Sequence, residues 1–590
     1  MCGIAGCVLN KKVAPILFES LKSLEYRGYD SVGIATLTDK IHVKKGKGKI
    51  EDVDKELDLR DMEGNMGIGH VRWATHGVPS KENAHPHCDC KNEISVVHNG
   101  IIGNYHELRE ELEKEGHKFR SETDTEVIPH LIEYYMNQGY DLLISTQKTV
   151  KRLEGSYALA VMSTREPNKI IGAANESPLL VGLSKHGNFL SSGVTAVLNE
   201  TKKVIFLDDE EIVVIQQNNV EIMDLELNHL DKEIETITWT PDMAEKGGYD
   251  HFTIKEINEE PQTIRDTLAE SQKIKDIVGN FKNFNRICFV ACGTSYHASL
   301  VGEYLIESEL GIPTEVILAS EFEYFKKTLD DHTLVICITQ SGETADTKEA
   351  LKTAKEKSET LAIVNVLGSS ISRLADHVIY TRAGPEIGVA ATKTYLSQLI
   401  CIYLLVAHLA EDNELLEKIH SIQKISEKLL ERKEEIKKIA KKYKDSKDFF
   451  YIGRGYNYPT ALEGALKLKE ITYIHAEAYA AGELKHGPLA LIDDGIPVVA
   501  ILPPGSSYKD TYSNLKETIT RGADVIALGS KEDKQLEEIE DKLLFDNKID
   551  EILSPLTYII DLQLLAYYIS VEKGIDPDKP KNLAKSVTVK

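Results

Sequence analysis

The first 240 residues alternate short apolar runs with Gly, Asn and Asp turns. Val96-Val97-His98, Ala158-Leu159-Ala160-Val161 and Val213-Val214-Ile215 have the length and β-branched content of strands. Residues 104–116 and 124–137 space their apolar positions as helices do, the second opened by Thr123 and Asp124 as caps. This mixture predicts an α+β domain rich in sheet over 1–240. Residues 241–280 are polar and charged, contain Gly247-Gly248, and read as a linker running into a helix. From 281 the pattern changes. Ile287–Val290 leads into Gly293-Thr294-Ser295, a helix and a second strand at Glu315–Leu318. Thr333–Ile338 leads into Gln340-Ser341-Gly342-Glu343-Thr344, a helix and Leu361–Val366. Strands alternating with helices predict a parallel sheet, with ligands at the carboxyl ends of its strands.

The same order then returns. Phe449–Ile452 runs into Gly453-Arg454-Gly455 and a helix, Glu483 echoes Glu321, and Val498–Leu502 and Val525–Leu528 continue the series. Two copies of one α/β unit are therefore expected at 281–412 and 448–575, followed by a tail at 576–590. Residues 413–447 between them are charged and amphipathic, with Ile419, Ile422, Ile425 and Leu429 on one helical side.

Composition narrows the classes of partner. A net charge of −24 opposes a nucleic-acid or acidic-membrane surface. The longest apolar stretches, Tyr395–Ala410 and Leu553–Val571, are broken by Ser397, Gln398 and His408 and by Asp561 and Gln563, so both read as core helices and not as membrane spans. Lys11 and Lys12 follow the first apolar run instead of preceding it, unlike a signal peptide. Eight cysteines lie scattered, mostly in apolar runs, which suits free thiols in a reducing cytoplasm.

Chemistry begins at Met1-Cys2-Gly3-Ile4-Ala5-Gly6. Once Met1 is removed, Cys2 carries a thiol and an α-amine that titrates near pH ~8 and can serve as its base. The alternative is a buried cysteine in a first strand. In His70-Val71-Arg72-Trp73-Ala74-Thr75-His76-Gly77, an arginine can clamp a carboxylate and a tryptophan can close a pocket, or the segment is an aromatic core strand. Val97-His98-Asn99-Gly100 offers an amide and a glycine N–H for an oxyanion hole, or a hairpin turn. Asp124 either holds a substrate amine or caps a helix. In this order these segments closely resemble the class II glutamine amidotransferase domain of the N-terminal-nucleophile family, whose fold is αββα. The resemblance implies Cys2 as nucleophile, Arg72, Thr75, His76 and Asp124 as glutamine-binding, and Asn99 with Gly100 as the oxyanion hole.

Further along, Thr339-Gln340-Ser341-Gly342-Glu343-Thr344 can cradle a phosphate with hydroxyls and N–H groups, joined by Ser295, or can simply cap a helix. No nucleotide-loop lysine follows it. Glu463, Lys467 and Glu470 share one helical face, either as a surface salt bridge or as charges facing a pocket where a glutamate moves protons. His486 stands in a Gly-Pro loop, often an incidental place for a histidine. Lys585 lies in a tail that frays or, if docked, supplies a Schiff-base amine.

Over the whole length these segments resemble the isomerizing glutamine:fructose-6-phosphate aminotransferases, which join the amidotransferase domain to two sugar-isomerase (SIS) domains. Two departures are Thr339, where the family carries Ser, and Lys590, where it carries an acidic residue. The resemblance implies L-glutamine and fructose 6-phosphate as substrates, no cofactor, and a homodimer formed through the SIS domains. It makes Ser295, Thr339, Gln340, Ser341 and Thr344 phosphate ligands, with His486, which the partner chain can supply, acting in ring opening. Lys585 would form the imine and Glu470 would move the proton, supported by Glu463 and Lys467, while Trp73 gates the ammonia path. Another class II amidotransferase would need a paired-acid diphosphate loop or a Ser-Gly-Gly-x-Asp-Ser loop, and neither is present. A non-catalytic sugar-phosphate sensor is opposed by the intact Cys2, Glu470, His486 and Lys585 set. His85, His87, Cys88 and Cys90 mimic a metal site, but their spacing is too tight and no metal is expected. Lys44–Lys49 reads as a solvated hairpin in preference to an anion loop.

Overall fold

The computed structural model describes residues 2–545 and 549–588; Lys590 lies outside them. Two sheets build the first 240 residues. One has eight strands and centres on Gly3–Leu9, which lies antiparallel between Gly187–Ser191 and Met66–Arg72. The other has six strands and carries Ile94–Ile102 antiparallel to Gly155–Ser163. Their facing sides share one core, with Ile4, Ile68, Val97 and Ala160 among its members. Helices cover the outer faces: Ala14–Lys22 packs on the first sheet, and Val127–Asn137 with Leu142–Val150 on the second. Gly3 is required by this packing, since a Cβ there would lie 2.8 Å from atoms of both Leu24 and Val71.

Two five-stranded parallel sheets follow, ordered with Arg286–Ala291 and Asp448–Gly453 second from one edge. Their strands read as continuous apolar runs because both faces are buried. The two apolar stretches form the helices Lys393–Leu409 and Pro555–Glu572. They are apolar all round because they lie inside one core that joins Phe289 and Ile336 of the first sheet to Tyr451 and Val499 of the second. No helix among the described residues is long and apolar enough to cross a membrane.

Three local expectations change. The stretch read as a linker folds into the helices Phe252–Asn258, Glu260–Leu268 and Ser271–Val278, whose Ile257, Ile264 and Ile274 enter the same core. Much of its polarity is buried with them, at Thr253, Lys255, Glu256 and Glu260. Residues 413–447 form two helices, Asn413–Leu430 and Lys433–Tyr443, not one. Thr123 and Asp124 do not cap the following helix; a 3-10 turn, Asp124–Glu126, precedes Val127–Asn137, and no cap bond forms.

The tail crosses every unit. The Asp578 carboxylate accepts from the N–H groups of Phe252 and Thr253 at 2.7 and 2.8 Å and from Thr253 Oγ1 at 2.9 Å, serving as a cap brought from a distant segment. Lys579 pairs with Glu25 at 2.5 Å, and the Tyr29 hydroxyl donates to the Pro580 carbonyl at 3.5 Å. The Val587 carbonyl accepts from the N–H of Ala345, at the start of the helix Ala345–Lys355. Losing a side-chain cap costs about 0.5–2 kcal/mol. Asp578→Ala is therefore expected to loosen the tail, seen as faster tryptic cleavage at Lys581 than in the unaltered chain. Equal cleavage would show that the cap does not hold it.

Candidate active sites at Cys2 and Lys585

Gly3 pairs with Val71, so Cys2 falls at the end of its strand beside Arg72 and Trp73. The Trp73 N–H donates to Cys2 Sγ at 3.3 Å. Asn99 Nδ2 donates to the Cys2 carbonyl at 3.2 Å, while Asn99 Oδ1 lies 3.0 Å from His70 Nε2. Burial pushes the His70 imidazole down to about 3, so the ring is neutral near pH 7. A neutral ring bonded to an amide oxygen must place its proton on Nε2, and this turns the Asn99 amide so that Nδ2 faces Cys2. Gly100 stands inside the strand, not in a hairpin turn; its φ is +128°, and a Cβ would meet the Ser156 carbonyl oxygen at 2.0 Å. Burial raises the Cys2 thiol, so its ionisation requires a base.

Arg72 is buried. One guanidinium nitrogen donates to the carbonyls of His76 and Gly77, and the other, Nη1, is buried without a partner. The Asp124 carboxylate accepts from the Ile102 N–H at 2.9 Å. Thr75 is exposed and His76 half-buried on the loop after Arg72. Trp73 stands edge-on to Tyr29, with ring centroids 5.5 Å apart.

His85 and His87 form no cation cage with Cys88. His85 stacks on His70 at 4.2 Å, and His87 Nε2 lies 3.1 Å from Thr123 Oγ1. Burial lowers both imidazoles well below their usual range. Lys45, in the segment read as a solvated hairpin, instead donates to the carbonyls of Ala84 and Pro86 at 2.6 and 3.0 Å.

The second site gathers around Lys585. Its ammonium donates to Glu386, and both side chains are buried. Burial would raise the Glu386 carboxyl, but Lys585 and the Thr394 hydroxyl outweigh it and hold Glu386 below the usual range. Lys467 lies 2.5 Å from Glu470 and 3.4 Å from Glu463. Glu463 also accepts from Thr294 Oγ1 at 3.0 Å and lies 2.8 Å from His297 Nδ1, both on the first parallel-sheet unit. The three charges thus face inward and join two units, unlike a surface salt bridge. Glu470 is the more open carboxylate of the pair, with 22% of its side chain exposed against 1% for Glu463.

The strands Arg286–Ala291 and Thr333–Thr339 are parallel neighbours, which sets the Ser295 and Gln340–Thr344 loops side by side. Thr339 Oγ1 and Thr344 Oγ1 lie 2.8 Å apart, and Ser295 Oγ accepts from Gln398 Nε2 at 3.0 Å. Gln340, Ser341 and Lys585 border one cavity, of about 820 Å³ including its solvent-open part. Its opposite wall comes from the first 240 residues, with Arg27, Val194 and Trp239. Trp73 is not on that wall; the tryptophan there is Trp239. His486 is exposed on the 3-10 segment Ala481–His486 and does not border the cavity.

Sequence reasoning missed His70, Glu256, His297 and the pairing of Glu386 with Lys585. His70 lay inside a segment already singled out, but the partners of these residues are distant in the chain and no spacing marks them. Residues 1–239 match the family described as a glutamine amidotransferase domain, and residues 280–408 and 442–573 match the SIS domain family. Fold and matches together define a glutamine amidotransferase fused to a tandem of SIS domains. A glutamine–fructose-6-phosphate aminotransferase (isomerizing) of Methanothermobacter thermautotrophicus is 60% identical, with both chains covered in full. That of Aquifex aeolicus is 50% identical, again over the full length of both. The solved C-terminal domain of glucosamine-fructose-6-phosphate aminotransferase from Francisella tularensis is 37% identical with a TM-score of 0.53, covering 57% of this chain and 100% of that one. The chain belongs to the isomerizing glutamine–fructose-6-phosphate aminotransferase family.

Beside Lys585, Glu256 accepts from the N–H groups of Ile387 and Gly388 at 2.6 and 3.1 Å. Burial, then repulsion from Glu386, raises its carboxyl from 4.5 to about 7. Across that window the folded chain keeps a proton that the unfolded chain has lost, so stability falls as pH rises. Glu256→Gln keeps an acceptor oxygen but has no such proton. Its melting temperature relative to the unaltered chain should climb as pH goes from about 5 to about 7. A constant difference across the window would refute the assignment.

Proposed function

We propose that this chain hydrolyses L-glutamine at Cys2 and uses the ammonia to convert fructose 6-phosphate into D-glucosamine 6-phosphate, releasing L-glutamate. The observation that carries the reading is the single cavity bordered by the amidotransferase domain on one side and by Gln340, Ser341 and Lys585 on the other. Its amidotransferase wall carries the apolar side chains of Leu179, Val194, Phe206 and Trp239.

In the first half, the α-amine freed by removal of Met1 takes the Cys2 thiol proton, and the thiolate attacks the glutamine amide carbon. Asn99 Nδ2 and the Gly100 N–H receive the oxyanion. Arg72 Nη1 meets the substrate carboxylate and Asp124 its amine, with Thr75 and His76 closing the loop and Trp73 covering the thiol. Ammonia leaves with the proton, and water then cleaves the thioester to glutamate. In the second half, Ser295, Thr339, Gln340, Ser341 and Thr344 hold the sugar phosphate, and His486 assists ring opening. Lys585 condenses with the C2 carbonyl and loses water; ammonia then displaces the lysine from the imine. Glu470 carries a proton from C1 to C2, leaving an aldehyde at C1 and an amine at C2, with Lys467 and Glu463 fixing its charge. Protons move and an imine exchanges, so no redox cofactor is required.

We place the amidotransferase unit at 1–240 and the SIS units at 281–412 and 448–575. The helices between 241 and 280 stand with the first SIS unit, 413–447 connects the two, and 576–590 forms the catalytic tail. The chain works in the cytoplasm as a homodimer through its SIS surfaces, where Tyr324 and Leu491 are 81% and 57% exposed, and His486 reaches the neighbouring chain's site.

Incubation with 15N-amide glutamine and fructose 6-phosphate should give labelled glucosamine 6-phosphate and glutamate, read by mass spectrometry. Lys585→Ala should release glutamate without amino sugar, and Cys2→Ala should release neither. A chain that binds sugar phosphate but makes no product would be a sensor, against this reading. Asn99→Ala should lower kcat for glutamine hydrolysis by about 10²–10³-fold. His70→Ala frees the Asn99 amide to turn and should cost about tenfold in kcat with KM nearly unchanged. An equal rise in KM instead would make His70 a packing residue only.

A further inference from the structure

We infer that the amidotransferase domain carries a structural zinc site built from Cys90, His117, His130 and Glu133, on the far side of the helix that follows Asp124. Four ligand atoms converge there from three separate segments. Cys90 follows the short strand His87–Cys88, His117 follows the helix Tyr105–Lys114, and His130 and Glu133 lie one turn apart on Val127–Asn137. Cys90 Sγ lies 3.9 Å from His117 Nδ1 and 3.7 Å from His130 Nδ1. Glu133 Oε2 lies 3.1 Å from His117 Nδ1 and 3.7 Å from His130 Nδ1. All four atoms lie within 4.8 Å of one another.

The four separations of 3.1–3.9 Å bracket the edges of a coordination tetrahedron. Zinc bonds of about 2.0 Å to nitrogen and oxygen and about 2.3 Å to sulfur give edges of about 3.3–3.6 Å. Both imidazoles turn the same nitrogen, Nδ1, toward one sulfur and one carboxylate oxygen, as ligands of a shared cation do. One thiolate and one carboxylate also balance a divalent cation, leaving a neutral group, as burial of His130 and Glu133 demands. One soft thiolate, two imidazoles and one carboxylate in tetrahedral array select zinc over magnesium or calcium.

The surroundings support ligation. The Lys118 N–H points to Cys90 Sγ at 3.4 Å, and the Cys90 N–H points to Glu133 Oε2 at 3.4 Å. The other His130 nitrogen, Nε2, is buried without a hydrogen bond, 3.8 Å from Glu126 Oε1. Glu126 in turn accepts from the N–H groups of Arg120 and Ser121 and from Ser121 Oγ. The metal therefore anchors the turn that carries Asp124. Cys90 joins this cluster by facing away from His85 and His87, with which sequence alone had grouped it.

The test is elemental analysis of the full-length protein, purified without chelator and dialysed against micromolar zinc. About one zinc per chain is expected, falling below about a tenth in Cys90→Ser and in His130→Ala. Stripping the unaltered protein should lower its melting temperature by several degrees and raise KM for glutamine, while fructose 6-phosphate binding stays unchanged. Cobalt substituted into the unaltered chain should show a thiolate-to-cobalt absorption band, which tests the site even if a variant misfolds. A chain without zinc after dialysis, zinc retained in Cys90→Ser, or cobalt bound without that band would overturn the inference.

Discussion

The buried ion pair between Lys585 and Glu386 is the interaction on which the assembly of the second site depends. A lysine taken out of water needs a partner with its remaining bonds satisfied, or it loses its charge. Glu386 meets that need because the N–H groups of Thr392 and Thr394 and the Thr394 hydroxyl already hold its carboxylate in place. The pair therefore fixes the end of a chain that would otherwise fray, and it does so inside another unit's core. The Val587–Ala345 bond then sets the tail against the loop that follows Thr339. A lysine so placed is at once the stabilising residue of the tail and the proposed imine-forming amine.

The first site is organised by the opposite device. Around Asn99 the histidines are neutral because burial has removed their charge, and they act as oriented hydrogen-bond donors and acceptors. His98 Nδ1 lies 2.9 Å from Thr125 Oγ1, and the His98 N–H donates to His85 Nδ1 at 3.3 Å. A row of neutral rings holds the amide rigidly without placing a positive charge beside the thiol. The thiol is raised by burial, and this leaves the proposed α-amine as the base that the chemistry requires.

Between the two sites the domains are clamped, not merely joined. Asp208 pairs with Arg373 at 2.6 Å and Asp209 with Lys348 at 3.1 Å, while Lys579 of the tail reaches Glu25. Arg373 of the first pair also borders the cavity. The tail thus touches the amidotransferase domain and the start of the helix Ala345–Lys355 together, a geometry suited to coupling one to the other.

The sequence alone determined the secondary structure of the repeated units, because a strand buried on both faces must read as an unbroken apolar run and a crossover helix must follow it. It also determined the chemistry available at Cys2, Asn99–Gly100, Glu463–Lys467–Glu470 and Lys585, because in those segments residue type and local spacing carry the signal. Only the tertiary structure decided which groups face one another across the chain. Lys585 finds Glu386, Glu463 finds His297, and Asn99 finds His70, none of them at a spacing that a helix or strand would mark. Cys90 likewise left the neighbours suggested by its spacing for two histidines and a glutamate on other segments. The physical reason is the same throughout: periodicity records which face of an element is buried, whereas electrostatic pairing depends on where two such faces meet.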